Sequence, residues 1–308
     1  MSVIKIEDLA YVRFAVPDLD RMDEFLADFG LQRTVRTESA LYARAAGPDP
    51  FVHATRRGDP GFAGLGLCAG STAELEELAK FSGVGVERND EPGGGHIVRL
   101  RDPDGFAIEV VADRERPARM KVPDREATND ARARSRRDSV KRVTAGPSHV
   151  QRLGHCVLNV TDVRASERWY KERFGFITSD EIAVEGMPDS VGAFMRCDRG
   201  DLPTDHHTLF LLGSGSPKFN HAAFEVADLD DLMAGHDHLT AKGRRHEWGV
   251  GRHILGSQIF DYWRDPWGHT LEHWTDGDLL SASWGSRKVD LSELIGTQWG
   301  PETPPTMA

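Results

Sequence analysis

Several things are scarce in this chain of 308 residues. No apolar run approaches the roughly 18 residues that a bilayer-spanning helix needs, so no membrane span is expected. The opening MSVIKIEDLAYV carries acidic side chains where a secretory leader holds its apolar core, and no targeting segment is expected there. Cysteine occurs at Cys68, Cys156 and Cys197, too far apart for a metal-type pair. Free thiols in a reducing cytoplasm are the expectation. Positive charge is short as well: 38 Lys and Arg against 49 Asp and Glu give a formal net charge of −11. That balance argues against nucleic acid and anionic membranes as main partners. Four tyrosines stand against 13 histidines, a mild hint of metal or acid–base chemistry. What is present, 39% hydrophobic and 28% charged residues, describes a soluble globular chain long enough for two domains with sizeable cores.

The chain repeats itself. RDPDGFAIEVV (101–111) returns as RDPWGHTLEHW (264–274), with Asp102 on Asp265, Gly105 on Gly268 and Glu109 on Glu272. Upstream, YVRFAVPDLDRMDEFLADFGL (11–31) matches HCVLNVTDVRASERWYKERFGF (155–176). Each reads as an alternating strand, an Asp-containing turn, a helix and an aromatic-Gly stop. FAGLGLCAGSTAEL (62–75) likewise matches FNHAAFEVADLDDL (219–232), a strand running into a helix. Each half therefore holds two strand–helix–strands units, four in all, as a duplication would leave them.

Between the halves, residues 113–150 are charge-dense and poor in large apolar side chains. A solvated linker is expected there, with a helix over 125–142. The tail, SWGSRKVDLSELIGTQWGPETPPTMA, ends in prolines and is expected to fray, its tryptophans docking part of it on the body or on a neighbouring subunit.

The halves differ where chemistry could sit. Tyr11 becomes His155, Gly64 becomes His221, and Glu109 is kept as Glu272. Two histidines and one carboxylate on three strands are the facial set that holds a ferrous ion and leaves positions for substrate and oxygen. Taken singly, each histidine also fits a satisfied core residue. Glu272 alone also fits a buried salt bridge, which an unpaired carboxylate would require.

The stretches LGHCVLNVTD (153–162), HHTLFL (206–211), FNHAAFEV (219–226) and GRHILGSQIFDYWRDPWGHTLEHWTDGD (251–278) carry a family likeness. The chain resembles the type I extradiol ring-cleaving dioxygenases of the vicinal oxygen chelate superfamily. The resemblance implies an α+β fold of four βαβββ modules arranged as two tandem vicinal-oxygen-chelate domains. Residues 1–114 would be a catalytically empty paired-module domain, 115–149 a charged linker, 150–278 the catalytic domain and 279–308 a tail. It implies cleavage of a catechol beside its diol, with both atoms of O2 incorporated, at Fe(II) held by His155, His221 and Glu272. Mn(II) fills the same set in some relatives. The implied partners are a small aromatic diol and O2, in a homo-oligomer.

The same resemblance gives His207 the role of acid–base catalyst, with His206 as a rival, and makes His253 and Tyr262 hydrogen-bond partners of the bound diol. A pair of polar strand residues, a loop histidine and a core aromatic are the plainer readings of these positions. Leu255 and Gly256 stand where the dihydroxybiphenyl branch has an Asn-Asp pair, which weakens transfer of its substrate. Phe194 and Met195 resemble pocket-wall positions and equally fit a core. His236, His238, His246, His269 and His273 have no place in the ligand pattern and read as surface or supporting residues. A glyoxalase-type isomerase and a non-catalytic binding protein of the bleomycin-resistance type are the rival functions. The first usually draws four protein ligands, and the second needs none.

Overall fold

The computed structural model describes residues 2–124 and 127–305. The first βαβββ unit is β1 (Asp8–Val16), α1 (Leu19–Phe29), β2 (Gln32–Arg36), β3 (Ala40–Arg44) and β4 (His53–Arg57). The second is β5 (Gly61–Cys68), α2 (Thr72–Ser82), β6 (Glu87–Arg88), β7 (His96–Arg101) and β8 (Ala107–Ala112). The third is β9 (Val150–Val160), α3 (Val163–Phe174), β10 (Ile177–Ala183), β11 (Gly192–Arg196) and β13 (Leu209–Gly213), with the short β12 (Thr204–Asp205) inserted. The fourth is β14 (Lys218–Val226), α4 (Leu229–Ala241), β15 (Arg245–His253), β16 (Ile259–Arg264) and β17 (Thr270–Thr275). A tail adds β18 (Leu279–Leu280), β19 (Arg287–Asp290), α5 (Leu291–Ile295) and β20 (Thr297–Trp299).

The first two units share an 8-stranded sheet, joined where β1 pairs antiparallel with β5. The last two share a 10-stranded sheet, joined in the same way by β9 and β14. The fold is mixed α+β, as expected. No helix among the described residues is long and apolar enough to cross a membrane.

The repeated phrases become repeated devices. Asp18 and Asp162 cap α1 and α3, accepting backbone N–H groups of the first turn, and Gly30 and Gly175 end the two helices. In RDPDG and RDPWG the aspartate closes the turn before the last strand. Asp102 Oδ1 accepts from the amides of Asp104 and Phe106, and Asp265 Oδ1 from those of Trp267 and His269. Gly105 and Gly268 take φ of 86° and 90° there, a conformation in which a side chain would be strained.

The halves pack face to face through one continuous core. Phe29 of α1 stacks on His273 at 3.9 Å and meets Phe224 edge-on at 5.6 Å. Phe14 of β1 meets Phe219 edge-on at 5.2 Å. This leaves the other face of the second sheet free to line a site.

Two expectations are corrected. Positions 125 and 126 lie outside the described residues, and 127–142 hold no helix. That stretch has no apolar stripe to bury; Val140 is 70% exposed, and a short helix without tertiary packing is marginal in water. The start of the linker lies on the first half, its Met120 amide donating to Ala46 and its Ala118 carbonyl accepting from Arg44, while Lys141 farther along pairs with Asp230 of the second half. The tail does not fray as expected over 279–305. β19 pairs parallel with β10, and β20 pairs antiparallel with β15. Backbone pairing does the docking, while Trp284 and Trp299 stay 58% and 45% exposed. Residues 306–308 lie outside the description.

His53, wholly buried in β4 and stacked on Phe14 at 5.1 Å, links this core to pH. Burial pushes its pKa down from 6.5 to about 3. Below pH 6.5 the unfolded chain takes a proton that the folded chain refuses until near pH 3. Stability therefore falls as pH drops through that window, by about 1.4 kcal/mol per pH unit for this one group. Between pH 6.5 and pH 5, urea unfolding should show His53→Phe losing about 1.6 kcal/mol less stability than the unaltered chain, whose other buried histidines add their own share.

Candidate metal centre

Register brings the three candidate ligands together. Ala223 of β14 pairs with His155 of β9 on one side and with Glu272 of β17 on the other. His221 lies two residues before Ala223, so strand alternation turns all three side chains to one face. His155 Nε2 sits 3.1 Å and His221 Nε2 3.3 Å from Glu272 Oε2. The three donor atoms lie within 4.8 Å of one another, and all three residues are buried.

The electrostatics call for a cation. A buried carboxylate is costly unless paired, and Glu272 is wholly buried. Among the described residues its ion-pair partners are the imidazoles of His155, His221 and His253, with no lysine or arginine. Its Oε1 is buried with no hydrogen-bond partner. Burial pushes the Glu272 carboxyl up, yet His155 and His221 outweigh it and hold the group well below the usual carboxylate range. Burial lowers the pKa of His221, against the pull of Glu272. An ionised carboxylate converging with two imidazoles, one oxygen unpartnered, fits a divalent metal ion.

The first half shows the same frame used differently. Gly66 pairs with Tyr11 and with Glu109, as Ala223 does with His155 and Glu272. Glu109 Oε2 accepts from the Tyr11 hydroxyl at 2.8 Å and from Arg13 at 2.9 and 3.2 Å. Arg13 pairs with Gly64 in β5 as Val157 pairs with His221 in β14. A guanidinium thus supplies from within the chain the positive charge that the second half lacks. The salt bridge expected as the plain reading of such a glutamate is the one Glu109 makes.

Asn220 supports the ligand set. Its Oδ1 lies 2.8 Å from His221 Nδ1, and its Nδ2 donates to Asn159 Oδ1 at 3.0 Å. Accepting the Nδ1 proton leaves the His221 Nε2 lone pair facing Glu272. A register shift between Phe219 and His221 turns Asn220 into the site, which strict alternation forbids and sequence spacing did not reveal. Asn220→Ala should weaken metal binding by roughly 10–100-fold without unfolding the protein, measured by metal titration.

The site opens into a cavity of about 540 Å³. Phe194, Phe210, Val191 and Leu255 form much of its wall, and Leu291, Leu294 and Ile295 of the tail close one side. Phe194 stacks on Phe210 at 3.8 Å, whereas Met195 is buried in the core between the halves. Of the tryptophans, Trp248 lines the cavity.

His207 lines this cavity with its ring centroid 4.1 Å from that of His155. His206 turns away. Its Nε2 lies 2.8 Å from Asp180 Oδ2, and its Nδ1 lies 3.0 Å from His207 Nδ1. Asp180 also accepts from Arg287 of β19 at 2.9 Å through each oxygen. Burial raises the Asp180 pKa, but His206 and Arg287 outweigh it and keep the carboxylate ionised. The carboxylate fixes the proton of His206 on Nε2, so Nδ1 accepts from His207, whose Nε2 keeps its lone pair. Burial, with four neighbouring imidazoles, drives the His207 pKa well below 6.5. Both residues are buried, unlike exposed polar strand residues.

His253 and Tyr262 meet across β15 and β16, Nε2 and hydroxyl 2.9 Å apart, at the cavity wall. A bulge between Gly249 and Gly251 lets Trp248 and His253 face the same side despite their odd spacing. Burial lowers the His253 pKa to about 4 and raises that of Tyr262 well above its usual value. Five of the six sequence-derived site residues line the cavity, and Glu272 lies behind them, 3.1 Å from His155 Nε2. Sequence reasoning missed Asn220, Asp180, Arg287 and the tail residues.

Residues 152–273 match the profile of the Glyoxalase/Bleomycin resistance protein/Dioxygenase superfamily. They belong to that superfamily. Metapyrocatechase 2 of Cupriavidus necator is 28% identical over 305 residues, covering 97% of this chain and 90% of its own. An iron-dependent extradiol dioxygenase of Rhodococcus jostii (strain RHA1) is 31% identical over 153 residues, 47% of this chain and 50% of its own. Among solved structures, a Mn(II)-bound glyoxalase from Novosphingobium aromaticivorans superposes with a TM-score of 0.80 at 24% identity, covering 99% of this chain and 94% of its own. At that identity the superposition speaks to the fold alone.

Proposed function

We propose that the protein is an extradiol dioxygenase that opens a catechol-type ring beside its diol, incorporating both atoms of O2, at Fe(II) held by His155, His221 and Glu272. The observation that carries this reading is the wholly buried Glu272 carboxylate, faced by imidazoles alone among its charged neighbours in the described residues, with one oxygen unpartnered, behind His155 and His221 at the wall of an aromatic-sized cavity. Relatives named as a metapyrocatechase and an extradiol dioxygenase support the reaction class. Mn(II) suits the same nitrogen and oxygen donors.

The bound ion would present both diol oxygens and O2 to one another and pass electron density between them. The chain's own residues do the rest. His155, His221 and Glu272 occupy one side of the site and leave the cavity side open. Tyr262 and His253 are placed to hydrogen-bond the diol and orient it. His207 Nε2, unprotonated in its buried setting, is placed to take the proton released as the diol binds and to return it as the ring opens. Phe194 and Phe210 give the ring a flat apolar wall.

Among the described residues no lysine or arginine lines the cavity, so a neutral catechol with an apolar substituent suits it better than a carboxylated one. Three buried or half-buried free thiols accord with a cytoplasmic setting. Among the described residues three donors converge at the site, His155, His221 and Glu272, one fewer than the isomerase alternative usually draws. The test is product analysis with ¹⁸O2. A ring-opened product carrying both labelled atoms supports the reading; an intact ring with no label overturns it.

A further inference from the structure

Asp261 follows Phe260 and precedes Tyr262 in β16, and strand alternation turns it away from the cavity, toward α4. Its carboxylate is wholly buried. His236 of α4 brings Nδ1 to 3.2 Å from Oδ1 and 3.1 Å from Oδ2. His246 of β15 brings Nε2 to 2.8 Å from Oδ1. The Trp263 indole N–H donates to Oδ2 at 2.6 Å. Among the described residues, Asp261 forms ion pairs with these two imidazoles and with no lysine or arginine.

Other buried carboxylates of the fold are served differently. Asp180 has Arg287, Glu247 has Arg264, and Asp265 has two backbone amides beside the single imidazole of His269. The carboxylate with comparable surroundings is Glu272. These two clusters are the groups of histidine and carboxylate donors found to converge within 4.8 Å among the described residues.

We propose that His236, His246 and Asp261 form a second divalent-cation site, for a late first-row ion such as zinc, on the face of the sheet opposite the catalytic cavity. Two imidazole nitrogens and a carboxylate oxygen are the donors such an ion prefers. A tetrahedral zinc site spaces its nitrogen and oxygen donors about 3.4 Å apart, and the nitrogen–oxygen separations here of 2.8–3.2 Å need only a small expansion. Trp263 holds Oδ2 and so presents Oδ1 as a single donor, the supporting contact that metal ligands commonly have. The side chains of His236 and His246 are 25% and 33% exposed, which gives an ion entry from solvent and leaves a position for water. His236 and His246 outweigh the effect of burial on Asp261 and keep it ionised. An ion here ties α4 to β15 and β16, the strands that carry His253 and Tyr262 on their other face.

The test is calorimetric titration of the metal-free, full-length protein with Zn(II). Two equivalents are expected for the unaltered chain and one for His246→Ala, with the second weakened at least about ten-fold. Glu272→Ala, or His221→Ala should that variant not fold, is expected to keep one equivalent. Adding His246→Ala to it should remove that one as well. Zn(II) should also raise the melting temperature of the Glu272→Ala protein and leave that of the double variant unmoved. A single equivalent in the unaltered chain, lost with Glu272→Ala, would overturn the proposal. So would two equivalents in His246→Ala. The two centres lose their ions in different variants, so failure of one leaves the other standing or falling on its own result.

Discussion

Glu272→Ala is expected to lose metal and ring cleavage together. The carboxylate is the only anionic donor of the triad, and its ionised state is held by His155 and His221 even in full burial. Removing it leaves two imidazoles, which alone hold Fe(II) weakly. The fall in metal affinity should exceed the roughly 10–100-fold that loss of a supporting residue causes. Stability offers a control. Without metal, Glu272 is an ionised carboxylate that His155 and His221 hold below its usual range, so the alanine protein should unfold no later than the metal-free parent, and melting shows whether the protein that lost iron is still folded. Iron analysis after gel filtration and thermal melting check both statements. Full iron retention with normal turnover would show that the ligand is another residue.

His207→Phe separates chemistry from metal binding. The ring of His207 lies beside that of His155, yet it donates nothing to the triad. Phenylalanine fills the space against Phe194, whose ring centroid is 4.8 Å from the His207 ring, so the fold should hold. Iron content should be unchanged, while kcat falls by roughly 10²–10⁴, the usual worth of a positioned acid–base group. Steady-state kinetics with iron-loaded protein measures this. Unchanged kcat would assign the proton transfer elsewhere, and a parallel loss of iron would make His207 a ligand. Asp180, which orients His206 and through it His207, reaches the same chemistry from outside the cavity.

The duplicated frame and the triad were legible in the sequence for one reason. The repeat gave an internal control in which Tyr11 and Gly64 stand where the second half has histidines, and sheet register preserves that correspondence. Caps and turns were legible because Asp18, Asp162, Gly30 and Gly175 act on backbone within a few residues of themselves. Contacts between distant segments were not. Arg287 reaches Asp180 only because β19 adds to the edge of the sheet at β10, and no local pattern announces that pairing. Asn220 and His253 face the site through bulges that break the period-two rule used to sort strand faces. The expected helix over 125–142 rested on local composition, and the missing apolar stripe decided against it. Arg13 was passed over because the first half was read for what it lacks, whereas its guanidinium explains why Glu109 needs no metal.

Oxygen uptake by protein loaded anaerobically with Fe(II) and offered a panel of neutral alkyl- and aryl-substituted catechols is the most direct measurement. One O2 consumed per catechol, matched mole for mole by a yellow ring-opened product and abolished in Glu272→Ala, is the expected result. Tight iron binding without uptake on any catechol would contradict ring cleavage at this site.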